Sequence, residues 1–367
     1  MHVPFCRAKC RYCGFYSRPV AEYDAGAVVS TMIAEMEQLE SGDGIKTIYI
    51  GGGSPSALER EHLLRLIARA KRQCPAAAEF TVEVNPGQVD MELLRELCKA
   101  GVNRLSVGAQ SFTQRELDFL GRTHTVECTR RVLRQGRSAG FDNISLDLIF
   151  AVPGTGLDSW KQNLLSAIEL QPDHISAYGL SYEHGTPLSR DLAAGLVEAV
   201  DEDTDRAMFE LTIDELAGAG IEQYEISNFA RGGFECRHNL NYWANGSYAG
   251  IGPGAASYLH GTRSSNFADI DKYVRAVTSG ESTVESSETL GDLERACETA
   301  VLNLRRRRGI DLAEFERQTG YDALELFAEP IQRYQNLDLI EKDSGKVSLT
   351  RQALGIANSI LCDFAIV

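Results

Sequence analysis

The sequence predicts an α/β fold in which a mainly parallel sheet curves into a barrel or partial barrel, followed by a smaller α/β unit. Short apolar segments alternate with longer segments of helical periodicity up to about residue 229. Several of the helical segments end at glycine, as at Gly101 and Gly140, which is a common helix stop. Repeated alternation of this kind implies right-handed crossovers that place successive strands parallel to one another.

Six strands and at least five helices are predicted in this first part of the chain. The strands are Lys46–Ile50, Phe80–Val84, Arg104–Val107, Ile144–Phe150, His174–Tyr178 and Gln223–Ile226. The helices include Glu59–Arg72, Met91–Ala100, Glu127–Ala139, Asp158–Leu170 and Asp203–Ala219. We interpret the strands as continuous apolar runs, as expected where helices cover a face of the sheet. In such a barrel the chemistry belongs on loops at the C-terminal ends of the strands.

The pattern changes after Phe229, and we predict three regions. Residues 1–229 form the barrel, and residues 230–285 are a connecting segment whose first part, 230–265, is rich in Gly, Asn, Ser and Tyr and is interpreted as loop. Residues 286–367 show two helical patterns, a hairpin of Leu337–Ile340 and Lys346–Leu349, and a final helix. That order predicts a small winged-helix-like domain.

Composition excludes several classes of protein. The formal net charge is −15 over 367 residues, and so acidic a chain is a poor general binder of nucleic acid. No apolar stretch approaches the length of a membrane-spanning helix, and no secretory signal precedes the first motif. We therefore expect a cytoplasmic protein that is not an integral membrane protein. The nine cysteines are expected to be free or metal-bound in that reducing compartment.

Three cysteines at the start of the chain, Cys6, Cys10 and Cys13, form a C-x3-C-x2-C pattern. Thiolates this close together suit a metal, but zinc normally takes four ligands, and the sequence shows no second cysteine pair. A [4Fe–4S] cluster held by three cysteines keeps one iron open to a substrate. The residues favour an iron–sulfur site, while zinc or chance spacing remain alternatives.

This cysteine loop resembles the signature of the radical S-adenosylmethionine (SAM) family. The resemblance implies a partial (β/α)6 barrel, a [4Fe–4S] cluster on Cys6, Cys10 and Cys13, and SAM chelating the open iron. In that family an electron from the cluster cleaves SAM to a 5′-deoxyadenosyl radical. Tyr12, just before the last cysteine, corresponds to an aromatic residue that packs near the adenine in relatives.

Further motifs follow in the order that the resemblance requires. GGGSPS resembles the loop that holds the SAM amino group, and Glu83 lies in the apolar strand FTVEVNP, where a buried carboxylate needs a partner. A structural salt bridge of Glu83 is the alternative. Tyr178 and the next residue lie in HISAYGL, at a strand end. The residues that the resemblance assigns to SAM are Tyr12, Gly52, Gly53, Ser54, Pro55, Glu83, Gln110, Arg122, Asp147 and Gly179.

The longer motifs resemble one subgroup, which contains the oxygen-independent coproporphyrinogen III dehydrogenase and the haem chaperone HemW. Phe15 stands where the dehydrogenase typically has a fourth cysteine and where HemW-like proteins have an aromatic residue. The segment HNLNYW resembles one that has been linked to haem handling, so His238, Tyr242 and Trp243 are candidate haem contacts. A histidine can ligate haem iron, and flat aromatic rings suit a porphyrin. A packed aromatic corner is the alternative.

The chain departs from the subgroup at three places. Met1 directly precedes His2, so we expect a nearly absent first strand and no aromatic SAM contact from it. Ala256 stands where relatives often have histidine, and Gly14 replaces an aspartate in the cysteine loop. The contacts that relatives make with those side chains cannot be assigned here.

The prediction is a haem chaperone that binds haem, passes it to haem-accepting proteins and uses an electron donor for its cluster. Whether SAM is cleaved is left open, and the sequence predicts no nucleic acid partner. The alternatives are coproporphyrinogen III dehydrogenase, which Phe15 disfavours, a radical SAM methyltransferase, and a structural zinc protein.

Overall fold

The computed structural model describes residues 1–39 and 44–365. Its largest feature is an eight-stranded sheet with the order β1–β2–β3–β4–β5–β6–β8–β7. The strands are β1 (His2–Val3), β2 (Thr47–Gly52), β3 (Glu79–Val84), β4 (Arg104–Gln110), β5 (Ile144–Phe150), β6 (His174–Gly179), β7 (Glu222–Glu225) and β8 (Asn228–Ala230). Strands β1 to β6 are parallel, and β8 pairs antiparallel with β6. The predicted parallel α/β architecture is confirmed.

Helices connect the parallel strands and pack on the outside of the sheet. They are α1 (Ala25–Gln38), α2 (Arg60–Gln73), α3 (Met91–Lys99), α4 (Gln114–Leu120), α5 (Val126–Ala139), α6 (Leu157–Glu169), α7 (Pro187–Ala193) and α8 (Glu202–Gly218). Neighbouring helices contact one another, as α1 does α2 and α6 does α8. The predicted helices match these bounds to within about two residues, the ordinary uncertainty of helix ends.

The two faces of the barrel strands differ, which corrects the interpretation of the strands as continuous apolar runs. Ile48, Ile50 and Val82 are fully or almost fully buried in the core. Tyr49 on β2 and Glu83 on β3 alternate with these apolar positions, and their side chains contact each other. The strands therefore alternate, with apolar side chains in the core and polar side chains on the other, inner face.

Strand β1 is as short as expected, with two residues. It nevertheless pairs in register with β2, with His2 opposite Gly51 and Val3 opposite Gly52. The Met1 ammonium group donates a hydrogen bond to the Tyr49 carbonyl oxygen at 2.6 Å. The first residues are thus part of the barrel edge, and they place the cysteine loop directly after it.

The interpretation of residues 230–265 as loop is wrong. This segment contains helix α9 (Arg237–Trp243) and strands β9 (Ala256–Leu259) and β10 (Thr262–Asn266). With β11 (Val284–Thr289), these two strands form a separate three-stranded antiparallel sheet, and α10 (Ile270–Ser279) connects β10 to β11. Helix α9 begins where the Glu79 carboxylate accepts the first helical N–H groups. That cap comes from a distant strand, so local sequence does not reveal it.

The C-terminal unit has the predicted hairpin and additional helices around it. Its helices are α11 (Asp292–Leu304), α12 (Leu312–Thr319), α13 (Ala323–Leu326), α14 (Ala328–Gln335) and α15 (Ala357–Cys362). Its small antiparallel sheet consists of β12 (Ile310–Asp311), β13 (Ile340–Lys342) and β14 (Lys346–Leu349). One continuous hydrophobic core joins this unit to the barrel.

All nine cysteines lie in the described part of the chain, and all are free thiols. This agrees with the expectation that they are not paired in disulfides. Across residues 1–39 and 44–365, no helix combines the length and the hydrophobicity that crossing a bilayer requires.

Candidate functional site

The loop that carries Cys6, Cys10 and Cys13 lies at the C-terminal ends of the parallel strands. It is held at both sides: the Arg11 N–H donates to the Leu120 carbonyl at the end of α4, and the Leu188 N–H donates to the Arg11 carbonyl. Phe5–Cys6 also forms a two-residue parallel pairing with Arg18–Pro19. The cysteines thus occupy the end of the barrel where this fold class places its chemistry.

The glycine-rich turn after β2 is in direct contact with the start of the cysteine loop. The Gly53 N–H donates to the Val3 carbonyl at 2.8 Å, and the Ser54 N–H donates to the Phe5 carbonyl at 2.7 Å. A Cβ atom on Gly53 would stand 2.4 Å from the Phe5 oxygen. The absence of a side chain is therefore what lets the two backbones meet one residue before Cys6.

The three thiols are close enough to influence one another, and a cation lies beside them. Burial is the largest effect that raises the pKa of Cys6 and of Cys13; Cys13 and Cys10 raise that of Cys6 further, and Cys10 raises that of Cys13. The Arg122 guanidinium donates to the Cys10 sulfur at 3.4 Å and to the Gly108 carbonyl at 2.8 Å. Arg122 would therefore stabilise thiolates here.

The positions of the three thiols can be compared with the positions that a zinc ion or an iron–sulfur cluster would require. In the described ranges, no three His, Cys, Asp or Glu side chains converge closely enough to hold a single metal ion. A mononuclear zinc site, with sulfurs about 2.3 Å from one ion, is thus not formed by Cys6, Cys10 and Cys13 as they lie. Three partly exposed thiols, of which Cys10 accepts a hydrogen bond from the Arg122 guanidinium, fit a larger iron–sulfur group with soft thiolate ligands.

Glu83 lies on the inner face of the barrel beside the glycine turn. The Tyr49 hydroxyl donates to its Oε1 at 2.8 Å, and a Cβ on Gly51 would come within 2.7 Å of both carboxylate oxygens. Within the described residues no Lys or Arg forms a salt bridge with Glu83. The alternative that Glu83 is a partner in a structural salt bridge is therefore not supported. Burial raises the pKa of Glu83 to about 7. The carboxylate is costly to keep charged without a ligand that donates to it.

Replacing Glu83 with Gln should make the SAM-free protein more stable at alkaline pH. The raised pKa means that the wild type loses stability as pH rises from about 4.5 through about 7, whereas the neutral amide does not titrate. Since one pKa unit corresponds to about 1.4 kcal/mol, the variant should gain up to about 3 kcal/mol at pH 8 relative to pH 4. Urea unfolding at both pH values measures this. Glu61→Gln, at an exposed carboxyl on α2, is the control, and an equal difference at the two pH values would contradict the prediction.

Two further residues assigned to SAM lie on adjacent strands. Gln110 is at the last position of β4 with φ +67°, a conformation that non-glycine residues rarely adopt and that is frequent at functional sites. Asp147 on β5 accepts from the Ser106 hydroxyl at 3.1 Å. Burial raises the pKa of Asp147, and the charge of Asp147 in turn raises the pKa of Glu83. The two carboxylates therefore face the same interior.

The remaining residues assigned to SAM are distributed around the strand ends. Tyr12 lies in the cysteine loop near Arg122, and burial raises the pKa of its hydroxyl. The Ser54 hydroxyl points away to Gln88, at 2.8 Å, and Pro55 begins a buried 3-10 turn. Gly179 ends β6 and is exposed. Of this set, the structure brings the backbone of the glycine turn, rather than the Ser54 side chain, to the cysteine loop.

The candidate haem residues lie at the opposite end of the barrel strands. Thr47, the first residue of β2, contacts His238 through its hydroxyl, which lies 2.8 Å from Nδ1. The Nε2 atom of His238 lies 2.9 Å from the Tyr242 hydroxyl, so both ring nitrogens have partners. Trp243 does not join them: its ring lies under the Arg305 guanidinium at 4.9 Å, against the C-terminal unit.

Two residues that the sequence analysis did not single out, Glu79 and Tyr49, hold this arrangement together, and a third, Arg104, lies buried beside them. Glu79 caps α9 through the backbone N–H groups of Arg237 and His238, and Tyr49 stacks on the His238 ring with centroids 5.0 Å apart. Arg104 is buried, and its Nε has no hydrogen-bond partner among the residues described. Each of the three stands in a series of polar residues at every second position of an otherwise apolar strand, and this pattern in the sequence could have identified them as inner-face residues.

Comparison with known proteins gives the family. A model of the Radical SAM superfamily matches residues 1–165, and a model of the HemN C-terminal domain matches residues 291–355. Heme chaperone HemW of Lactococcus lactis subsp. lactis (strain IL1403) is 34% identical over 365 residues, which cover 99% of this chain and 96% of that protein. The chain belongs to the HemW family. HemW of Bacillus subtilis (strain 168) is also 34% identical, over 372 residues and 98% of its length.

A solved structure supports the fold of this HemW-family chain. Coproporphyrinogen III oxidase (HemN) from Escherichia coli superposes with a TM-score of 0.85 at 20% identity, covering 99% of this chain and 88% of that one. At this identity the likeness shows the shared fold alone. Membership of the radical SAM superfamily implies a [4Fe–4S] cluster and SAM.

In this HemW-family chain, Phe15 has an outward position. Its side chain is 71% exposed, two residues after Cys13 at the rim of the cysteine loop. The ring therefore does not fill the core, and local packing does not explain an aromatic residue here.

Proposed function

We propose that this protein is a haem chaperone that binds haem and passes it to haem-accepting proteins. The observation that carries the proposal is the match to curated proteins named heme chaperone HemW along almost the whole chain, at 34% identity. The match spans 99% of this chain, so it does not rest on one motif alone.

We propose that Cys6, Cys10 and Cys13 hold the cluster and that the polar inner face above them binds SAM. When bound, the cluster supplies the electron that can cleave SAM. The protein's own residues bind and orient: backbone atoms of Gly52 and Gly53 line the turn, and Glu83 offers a carboxylate oxygen that Tyr49 leaves free. Arg122 offsets the negative charge of the thiolates.

We propose that His238 ligates the haem iron, with Tyr242 beside it. Burial lowers the pKa of His238 to about 3, so the imidazole is neutral at physiological pH, as a ligand must be. Tyr242 is 37% exposed and stacks edge-on against Tyr248 at 4.6 Å, which provides aromatic surface at the protein exterior. Ligation through either nitrogen requires that the imidazole leave its present position, because the Tyr242 hydroxyl lies at Nε2 and the Thr47 hydroxyl lies at Nδ1.

Two variants test the histidine. His238→Leu should weaken haem binding about tenfold or more, because it removes an iron ligand, while the iron content of the reconstituted cluster stays unchanged. Tyr242→Phe should bind haem more tightly, because it frees Nε2 of a competing hydrogen bond. Haem titration followed in the Soret band measures both variants.

A control variant and two contrary results accompany the His238→Leu experiment. His184→Leu replaces an exposed histidine at the other end of the barrel and should bind haem as the wild type does. Equal haem affinity of His238→Leu and the wild type would remove His238 from the site. Anaerobic turnover of coproporphyrinogen III by the same cluster-loaded sample would overturn the chaperone assignment in favour of the dehydrogenase.

An electron donor and a cytoplasmic location complete the proposal. The cluster needs a reductant if SAM is cleaved, and the exposed edge of the cysteine loop is where a donor could approach it. Nine free thiols fit a reducing compartment.

A further inference from the structure

One tyrosine contacts both proposed sites. The hydroxyl of Tyr49 donates to Glu83 Oε1 at 2.8 Å, on the side of the glycine turn. Its ring stacks on the His238 imidazole with centroids 5.0 Å apart and an interplanar angle of 22°. Tyr49 lies in the middle of β2, so it spans the barrel interior between the C-terminal end and the end that α9 covers.

The same strand also fixes the position of the histidine. Thr47, two residues before Tyr49 and therefore on the same face of β2, contacts Nδ1 of His238 at 2.8 Å. Tyr242 contacts Nε2 from the outside and packs edge-on at 4.8 Å. The imidazole is thus held on one face by Tyr49 and at both nitrogens, and it must leave this position before it can ligate iron.

We propose that Tyr49 is a positioning residue through which SAM bound at Glu83 opposes haem binding at His238. The inference rests on the proposed function. It goes beyond that function by giving SAM a role in haem release.

The direction of the effect follows from the hydrogen bond between Tyr49 and Glu83. A ligand that donates to the free carboxylate oxygen favours the ionised form of Glu83. A hydroxyl bonds to an ionised carboxylate roughly twice as strongly as to a neutral acid. SAM would therefore hold Tyr49 more firmly, and with it the ring on which His238 stacks. Moving His238 onto a haem iron then costs more, and haem in turn weakens SAM binding by the same factor.

The first experiment measures this coupling as haem affinity with and without SAM. Cluster-loaded wild-type protein is titrated with haem in the presence and absence of saturating SAM, and the same is done with Tyr49→Phe, which keeps the ring but loses the hydroxyl. We expect SAM to raise the haem Kd about fivefold or more in the wild type and to leave it unchanged in Tyr49→Phe. An equal SAM effect in both proteins would overturn the inference.

A matched control variant is present in the same chain. Tyr273 is another buried tyrosine whose hydroxyl donates to a buried glutamate, Glu35, at 2.5 Å. Tyr273→Phe therefore makes the same chemical change away from His238. It should keep the SAM effect of the wild type, and loss of the effect in this variant would overturn the specific role of Tyr49.

A second readout does not require haem. In protein with 15N-labelled histidine, SAM should shift the ring resonances of His238 in the wild type and in Tyr273→Phe, but not in Tyr49→Phe. If the wild type shows this shift but binds no haem, the chaperone proposal fails, while the transmission of SAM binding through Tyr49 to His238 stands. If haem binds but SAM leaves the His238 resonances unchanged, the coupling fails while the chaperone proposal stands.

Discussion

Replacing Cys6, Cys10 and Cys13 together with alanine should abolish the iron–sulfur absorbance of the anaerobically reconstituted protein. Iron should fall from about four atoms per chain to near zero, because no other thiol lies in the cysteine loop to take their place. The fold should remain, since all three side chains are partly exposed and lie outside the hydrophobic core. Iron analysis and circular dichroism on the same sample measure the two effects.

The matched control is a second triple variant. Cys98, Cys128 and Cys362 are also free thiols that are not fully buried, and their replacement with alanine removes the same number of sulfurs elsewhere. This control should retain the full cluster. A cluster that persists without Cys6, Cys10 and Cys13 would overturn the assignment of the site.

Gly53→Ala should disrupt the cluster site without touching a ligand. The added Cβ would stand 2.4 Å from the Phe5 carbonyl oxygen and 2.9 Å from that of Val3. Both are backbone atoms that cannot rotate away, so the strand before Cys6 must shift. We expect the cluster content to fall by roughly half or more and the protein to lose about 1–3 kcal/mol of stability, as for other overpacked sites. Iron analysis and urea unfolding measure these effects.

Gly232→Ala provides the comparison for this substitution. A Cβ at Gly232 meets no atom within 4 Å, so the variant should keep both cluster and stability. If Gly53→Ala retains wild-type iron content, the contact between the glycine turn and the cysteine loop does not position the cysteines.

Much of the barrel could be predicted from local sequence. The period of the apolar residues and the glycine stops predicted strands β2 to β6 and helices α2, α3, α5, α6 and α8, because in these segments local preference and tertiary packing agree. The cysteine spacing singled out the cluster loop by itself, since its chemistry depends on three residues that are adjacent in the chain.

The segment after the barrel shows where local sequence was insufficient. Helix α9 has seven residues and no side-chain cap of its own. The Glu79 carboxylate, more than 150 positions earlier in the chain, caps it instead. So short a helix is not stable alone, and composition rich in Gly, Asn and Tyr therefore predicted loop.

The sequence by itself determined the fold class, the three thiols and the order of the family motifs, because these depend on the period and spacing of residues along the chain. Only the tertiary structure decided which polar side chains meet inside the barrel. Tyr49 is one residue among the apolar positions of β2, and His238 lies nearly two hundred positions away. Their stacking depends on how the sheet closes and where Glu79 anchors α9, and these are long-range contacts that no local pattern encodes.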